Sequence, residues 1–196
     1  MTTTKTLRIA AACAAALLAG AAQAHPGHSA EGLAAGLVHP LTGLDHLLAM
    51  IAVGLWSAAA MPAARRWLGP GVFVSMLLAG AMLAWAGGVL PHVETGVALS
   101  VAMLGAMLLA GRRVAPSVGL MMIAGAALLH GFAHGSEWGQ GASIMAYAAG
   151  FMSSSALLHA TGFAAAVGLR RIGPWAWRSC AALISCSGLL MLATRL

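Results

Sequence analysis

Six apolar segments, each near the length of a membrane span, constrain this chain more than any other feature of its sequence. A helix needs about 20 apolar residues to cross about 30 Å of hydrocarbon. Hydrophobic residues make up 61% of the chain and charged residues only 7%, which excludes an ordinary soluble domain. We therefore predict an all-α integral membrane protein, a bundle of six transmembrane helices. The predicted spans are 36–61, 71–90, 96–111, 117–136, 141–169 and 175–194.

The first 24 residues have the pattern of a secretory signal peptide. Lys5 and Arg8 precede a short apolar core, and Ala22-Gln23-Ala24 has the small-residue pattern of a cleavage site. We predict a cleaved signal peptide over 1–24 and one transmembrane domain over 25–196. The alternative, an uncleaved first membrane helix, is disfavoured because the apolar core is short and rich in small residues.

The basic residues are distributed unequally between the predicted loops. Within 25–196 they occupy alternate loops with one exception, Arg195, while the four acids fall toward the opposite side. Basic residues near span ends mark cytoplasmic loops, so we predict a protein of a bacterial-type inner membrane with both mature termini outside. The chain has no basic stripe of the kind that binds nucleic acid, so the bilayer is the expected partner. The loop arginines are Arg65, Arg66, Arg112, Arg113, Arg170, Arg171 and Arg178.

Two histidines and an aspartate stand near the start of the first predicted span, at His39, Asp45 and His46. A carboxylate deep in an apolar helix costs about 2.5–3.5 kcal/mol on insertion scales, so Asp45 is a candidate for a functional site. His39 and His46 are seven residues apart and would share one face of a continuous helix, which Met50 extends by a thioether. Gly43 leaves room between them for a neighbouring helix or an ion.

A second cluster ends the fourth predicted span, where His130, His134 and Glu137 share one helix face. At about 1.5 Å per residue, Asp45 and His46 lie roughly 13–15 Å from the outer end of their helix and His130 about 9 Å from the end of its own. Both clusters therefore can line one vestibule. Nitrogen and oxygen donors suit divalent nickel, cobalt, zinc or copper. The alternative is that these side chains only hydrogen-bond helices together.

Further histidines have two interpretations each. His25 and His28, directly after the predicted cleavage site, either present metal to the membrane surface or belong to a disordered tail. His159, in the inner half of the fifth span, is either a relay site on a metal path or a buried core residue. His92 and Glu94 fall in an outer loop, where an exposed polar segment is the favoured interpretation over metal capture.

The pattern His-x5-Asp-His at 39–46, followed by His-Gly-x-x-His-Gly-x-Glu at 130–137, resembles the HupE/UreJ family of hydrogenase/urease accessory nickel permeases. The resemblance extends over the whole chain, and it implies secondary uptake of nickel, or of the similar ion cobalt, for the maturation of nickel enzymes. The ion is then cargo, with no permanently bound cofactor. Leu129 stands where the family often has Phe, which removes no ligand. The positions implied to be essential for transport are His39, Asp45, His46, His130, His134 and Glu137.

Two other functions are chemically compatible with these side chains. An intramembrane zinc hydrolase would use three of them as ligands and activate a water, although no general base is evident beyond Glu137. A haem protein would need two opposed histidines at one depth. The sequence leaves the oligomeric state open, a homo-oligomer included.

The arginine distribution makes a testable prediction of topology. A reporter that is active only in the cytoplasm should be active when fused after Arg66, Arg113 or Arg171. The same reporter should be silent after Glu94 or at Leu196. Activity at Leu196 would mean an odd number of spans in the mature chain and would contradict the six-helix arrangement.

Overall fold

Seven α-helices make up the described part of the chain, which is residues 32–135 and 144–196 of a computed structural model. Two short 3₁₀ turns lie between consecutive helices, Ala63–Arg65 before the helix that begins at Leu68 and Gly111–Arg113 before the helix that begins at Pro116. The predicted signal peptide, His25, His28 and Glu137 lie outside the described residues. The helices are α1 (Leu33–Thr42), α2 (Leu44–Ala60), α3 (Leu68–Trp85), α4 (Val93–Ala110), α5 (Pro116–Gly135), α6 (Ile144–Ile172) and α7 (Pro174–Thr194).

The helices α3 to α7 are each long and apolar enough to cross a membrane, and α1 with α2 provides a sixth, bent candidate. The prediction of an all-helical, multi-pass membrane protein is therefore confirmed. The prediction of one continuous first span over 36–61 is wrong, because α1 and α2 meet at an angle of 82°. The break is at Gly43, which adopts an extended conformation with ψ of 111°, while Pro40 lies inside α1 and removes one helical hydrogen-bond donor there.

Glycines allow α6 to approach both halves of the broken span. Gly54 of α2 and Gly162 of α6 face each other, and a Cβ added at Gly162 would lie 2.9 Å from the Cα of Gly54. Gly36 of α1 and Gly150 of α6 make a similar reciprocal contact. Small residues that bring backbones together are the usual basis of helix packing in lipid, where no hydrophobic force drives helices together. The long α6 therefore holds α1 and α2 in their bent arrangement.

The remaining helices also pair through glycines that allow close backbone contact. Gly80 of α3 and Gly131 of α5 each contact the backbone of the opposite helix. Gly105 of α4 and Gly188 of α7 do the same, and Ser185 of α7 donates a hydrogen bond of 3.1 Å to the carbonyl of Ala102. These contacts fix α5 beside α3, and α7 beside α4. Both pairs surround α2, whose Trp56 is completely buried.

The charged residues of the described chain separate to the two ends of the bundle. Loop arginines surround an open cavity of about 790 Å³ at the end where α2, α4 and α6 terminate, and Arg170 donates to the carbonyl of Ala58 there. Asp45, Glu94 and Arg195 meet at the opposite end. Which end faces the cytoplasm stays a prediction.

The α2–α6 contact can be tested by adding one methyl group. Gly162→Ala places a Cβ against the backbone of Gly54 and should destabilise the protein by about 1–3 kcal/mol, the usual cost of overpacking. Gly168→Ala on the same helix meets no atom within 4 Å and is the matched control. Thermal unfolding of the two purified variants in detergent should separate them, and equal melting temperatures would contradict the close packing.

Candidate metal site

Four histidines from three helices form one contiguous group at the end of the bundle that carries Asp45. The ring centroid of His46 lies 4.5 Å from that of His130 and 4.1 Å from that of His134, and the centroids of His39 and His134 are 4.3 Å apart. We call His39, His46, His130 and His134 the histidine cluster. His130 is fully buried, His46 and His134 are nearly so, and His39 is half-buried at the rim.

The bend between α1 and α2 brings His39 into this cluster. In a continuous helix, residues seven positions apart are separated by about 10.5 Å along the axis. Across the bend at Gly43, the ring centroids of His39 and His46 are 6.1 Å apart. The prediction that both histidines share one face of a single helix is therefore wrong. They meet because the chain turns.

Asp45 also has a different setting from the one the sequence indicates. It lies in the first turn of α2, next to the break, and not several turns along a continuous helix. Its Oδ1 accepts a hydrogen bond from the backbone N–H of His46 at 2.8 Å and contacts Nδ1 of the same residue at 2.6 Å. Its Oδ2 accepts a hydrogen bond from Arg195 at 3.0 Å. A helix N-terminus favours negative charge, so burial of Asp45 costs less than a mid-helix position implies.

The hydrogen bonds of His46 and His130 define which ring nitrogens carry protons. Since the Asp45 carboxylate can only accept, Nδ1 of His46 is the donor, and in neutral His46 the lone pair is then on Nε2. The Ser100 hydroxyl donates to the carbonyl of Val97 at 2.7 Å, so it accepts from Nε2 of His130 at 3.0 Å. A hydroxyl has one proton to donate, and the Nδ1 of neutral His130 therefore also keeps a lone pair.

These two lone pairs face each other. Nδ1 of His130 lies 3.1 Å from Nε2 of His46, and Nε2 of His134 also contacts Nε2 of His46. Two nitrogens that bind one ion at about 2.1 Å are themselves about 3.0–3.4 Å apart. Within the described residues, no three His, Cys, Asp or Glu side chains stand around a common point as a complete ligand set. The arrangement therefore consists of Nδ1 of His130 and Nε2 of His46, which point towards each other, with the imidazole of His134 in contact with His46.

Aromatic rings enclose the cluster. The Phe151 ring lies 5.3 Å from that of His134, and the Tyr147 ring lies 6.0 Å from that of His39. On the other side, the fully buried Phe73 lies 6.1 Å from the His130 ring. Such walls exclude water and strengthen electrostatic interactions inside.

The other candidates from the sequence lie apart from the cluster. Met50 is completely buried in the apolar core. His159 is buried beyond Phe73, with a distance of 5.2 Å between the centroids of the two rings. His92 precedes α4 as an exposed residue with φ of 57°. Glu94 is exposed and pairs with Arg195 at 3.3 Å.

Sequence reasoning missed three contributors to the site. Ser100 sits among apolar residues of α4 and gives no signal of its own until its helix is placed beside His130. Phe73 is likewise one apolar residue among many. Arg195 did carry a signal, because it is the single basic residue of 25–196 on the side of the acids. Its contact with Asp45 spans 150 positions, so pairing the two required the fold.

Comparison with known proteins places the chain in a family. The sequence model described as HupE / UreJ protein matches residues 13–191. Protein HupE of Rhizobium leguminosarum bv. viciae is 39% identical over 155 residues, which cover 79% of this chain and 81% of that protein. No solved structure matches the chain. The chain therefore belongs to the HupE/UreJ family.

Proposed function

We propose that this membrane protein takes up nickel or cobalt ions across a bacterial-type inner membrane and supplies them for hydrogenase or urease maturation. The observation that carries the proposal is the pair of imidazole lone pairs, on His46 and His130, that converge in a buried and aromatic-walled site. Their separation of 3.1 Å matches that of two nitrogens that bind one metal ion. Membership of a family associated with nickel and cobalt uptake supports the same function.

The ligands of the proposed site differ in their roles. His46 and His130 offer nitrogen donors, with His134 beside them and His39 at the rim. Imidazole suits divalent nickel and cobalt, and it must be neutral to bind them. Asp45 supplies negative charge and orients His46, as carboxylates commonly do for metal-binding histidines. Glu137 is the proposed outer acid that attracts the ion.

The proposed path continues past Phe73. This ring separates the cluster from His159, and beyond lies the cavity bordered by the loop arginines. In the proposed cycle the ion binds at the cluster, the Phe73 ring moves aside, and His159 takes the ion during release. His159 suits this role because it is a buried imidazole next to Phe73, and imidazole nitrogen is a ligand for divalent nickel and cobalt.

The two alternative functions fit the geometry less well. A zinc hydrolase needs a general base, but Asp45 is hydrogen-bonded to His46 and Glu94 pairs with Arg195, which leaves the base role to Glu137, outside the described residues. A haem group needs two histidines on opposite sides of a macrocycle. Here the rings of the cluster pack directly on one another at 4.1–4.5 Å. Transport therefore remains the proposal.

Substitution of the converging imidazoles tests the proposed site. His46→Ala and His130→Ala should each reduce uptake of radioactive nickel and cobalt to that of cells lacking the protein, because each removes one of the two facing donors. His92→Ala is the control, since His92 is exposed at the start of α4, and it should have a mild effect. Uptake is compared at equal membrane abundance. Normal transport by His46→Ala would mean that the cluster is structural.

Asp45 gives a separate test of charge. Asp45→Asn keeps an oxygen that can accept from His46 but removes the negative charge beside an ion in a low-dielectric site. We expect uptake to fall by about 100-fold or more, beyond the usual loss for a residue that only orients a ligand. Asp45→Glu keeps the charge and should retain part of the uptake. Transport by Asp45→Asn near that of the unmodified protein would exclude the charge-balance role.

A further inference from the structure

Arg195 places a permanent positive charge at the mouth of the proposed cation site. Its Nη2 lies 3.0 Å from Oδ2 of Asp45, and its Nη1 lies 3.3 Å from Oε2 of Glu94. Nη1 also donates to the carbonyl oxygen of Glu94 at 2.9 Å. One guanidinium from the end of α7 thus joins the starts of α2 and α4. Arginine stays protonated in proteins, so this charge does not vary with pH.

The position of this charge is unfavourable for a site that only needs to attract cations. The carboxylate of Asp45 has His46 on one oxygen and Arg195 on the other. With neutral imidazoles, Asp45, Glu94 and Arg195 together carry one net negative charge. Without the contribution of Arg195, the two carboxylates carry two, which equals the charge of a divalent cation in magnitude.

We propose that Arg195 is a resident counter-cation that an incoming divalent ion displaces from Asp45, an inference that rests on the proposed transport function. In the empty site, Arg195 neutralises Asp45. When the ion binds at the histidine cluster, the Asp45 carboxylate interacts with the ion in place of Arg195, and the guanidinium stays paired with Glu94. When the ion leaves, Arg195 returns and opposes rebinding.

The exposure of the three side chains supports movement of Arg195 between Asp45 and Glu94, as opposed to a permanent ion pair with Asp45. The Asp45 side chain is 13% exposed, that of Arg195 27% and that of Glu94 54%. The guanidinium is thus more exposed than Asp45 and less exposed than Glu94, so a movement from Asp45 towards Glu94 carries its charge towards solvent. Glu94 provides two contacts that can hold the guanidinium while it is away from Asp45. Glu94 is thus already positioned to pair with Arg195 when Arg195 has left Asp45.

The expected consequence is opposite to that of losing a ligand. Removing the competing charge in Arg195→Gln should tighten nickel and cobalt binding by about tenfold, the scale of one partly exposed charge pair. The tighter site should lower the KM of uptake and also its maximal rate, because release becomes slower. Arg195→Lys keeps the charge and should remain within a few-fold of the unmodified protein. A clasp that is only structural predicts unchanged or weaker binding in Arg195→Gln.

The experiment is calorimetric titration of nickel chloride and of cobalt chloride into the full-length protein in detergent, paired with uptake kinetics in cells. Arg195→Gln and Arg195→Ala are the neutral variants. Arg178→Gln is the matched control, because Arg178 is exposed near the other end of the same helix. Tighter binding in both neutral variants, with Arg178→Gln unchanged, is the expected result.

Other outcomes overturn the inference in distinguishable ways. If the unmodified protein binds and transports but neither neutral variant binds more tightly, Arg195 is no counter-cation and the transport function stands. Equal tightening by Arg178→Gln would show an effect of overall charge and would also reject the inference. If both neutral variants fail to accumulate as folded protein, Arg195 is a structural clasp. If the unmodified protein neither binds nor transports either ion, the proposed function fails and the inference with it.

Discussion

The bend at Gly43 is the constraint on which the site depends. It ends α1 after His39 and begins α2 with Asp45 and His46, so that residues of one short motif approach α5 from two directions. The bend is held from outside by α6, through Gly150 against α1 and Gly162 against α2. A continuous first helix would carry the same side chains but would separate His39 from His46 along its axis. The packing of α6 against α1 and α2 thus determines how His39 and His46 are placed relative to each other.

Much of the fold follows from the sequence because lipid leaves few choices. Apolar segments of span length must be helical in a bilayer, since every backbone polar group needs an internal partner. The spacing of His130 and His134 likewise places both on one face of α5 without further information. The break at Gly43 did not follow, although Pro40 and Gly43 both weaken a helix. Proline and glycine are tolerated inside membrane helices, so their presence alone does not distinguish a kink from a sharp turn.

The polar environment of the cluster was less predictable than its histidines. Ser100 and Arg195 contact His130 and Asp45 across 30 and 150 positions, and such contacts depend on which helices are neighbours. Their effect is large because the site is buried. Ser100 leaves a lone pair of His130 directed at His46, and Arg195 offsets the charge of Asp45. The number of ligands in a motif therefore describes only part of the site; the rest is set by what each ligand's other atoms contact.

We propose that the lone pairs of His46 and His130 bind the transported ion. X-ray absorption spectroscopy of the nickel-loaded, full-length protein tests it most directly, because it reports the elements and groups bound to the metal. We expect nitrogen and oxygen ligands with the scattering pattern of at least two imidazoles, and loss of one imidazole when His130 is replaced. Sulfur ligands, or an imidazole contribution that is unchanged by that replacement, would contradict it.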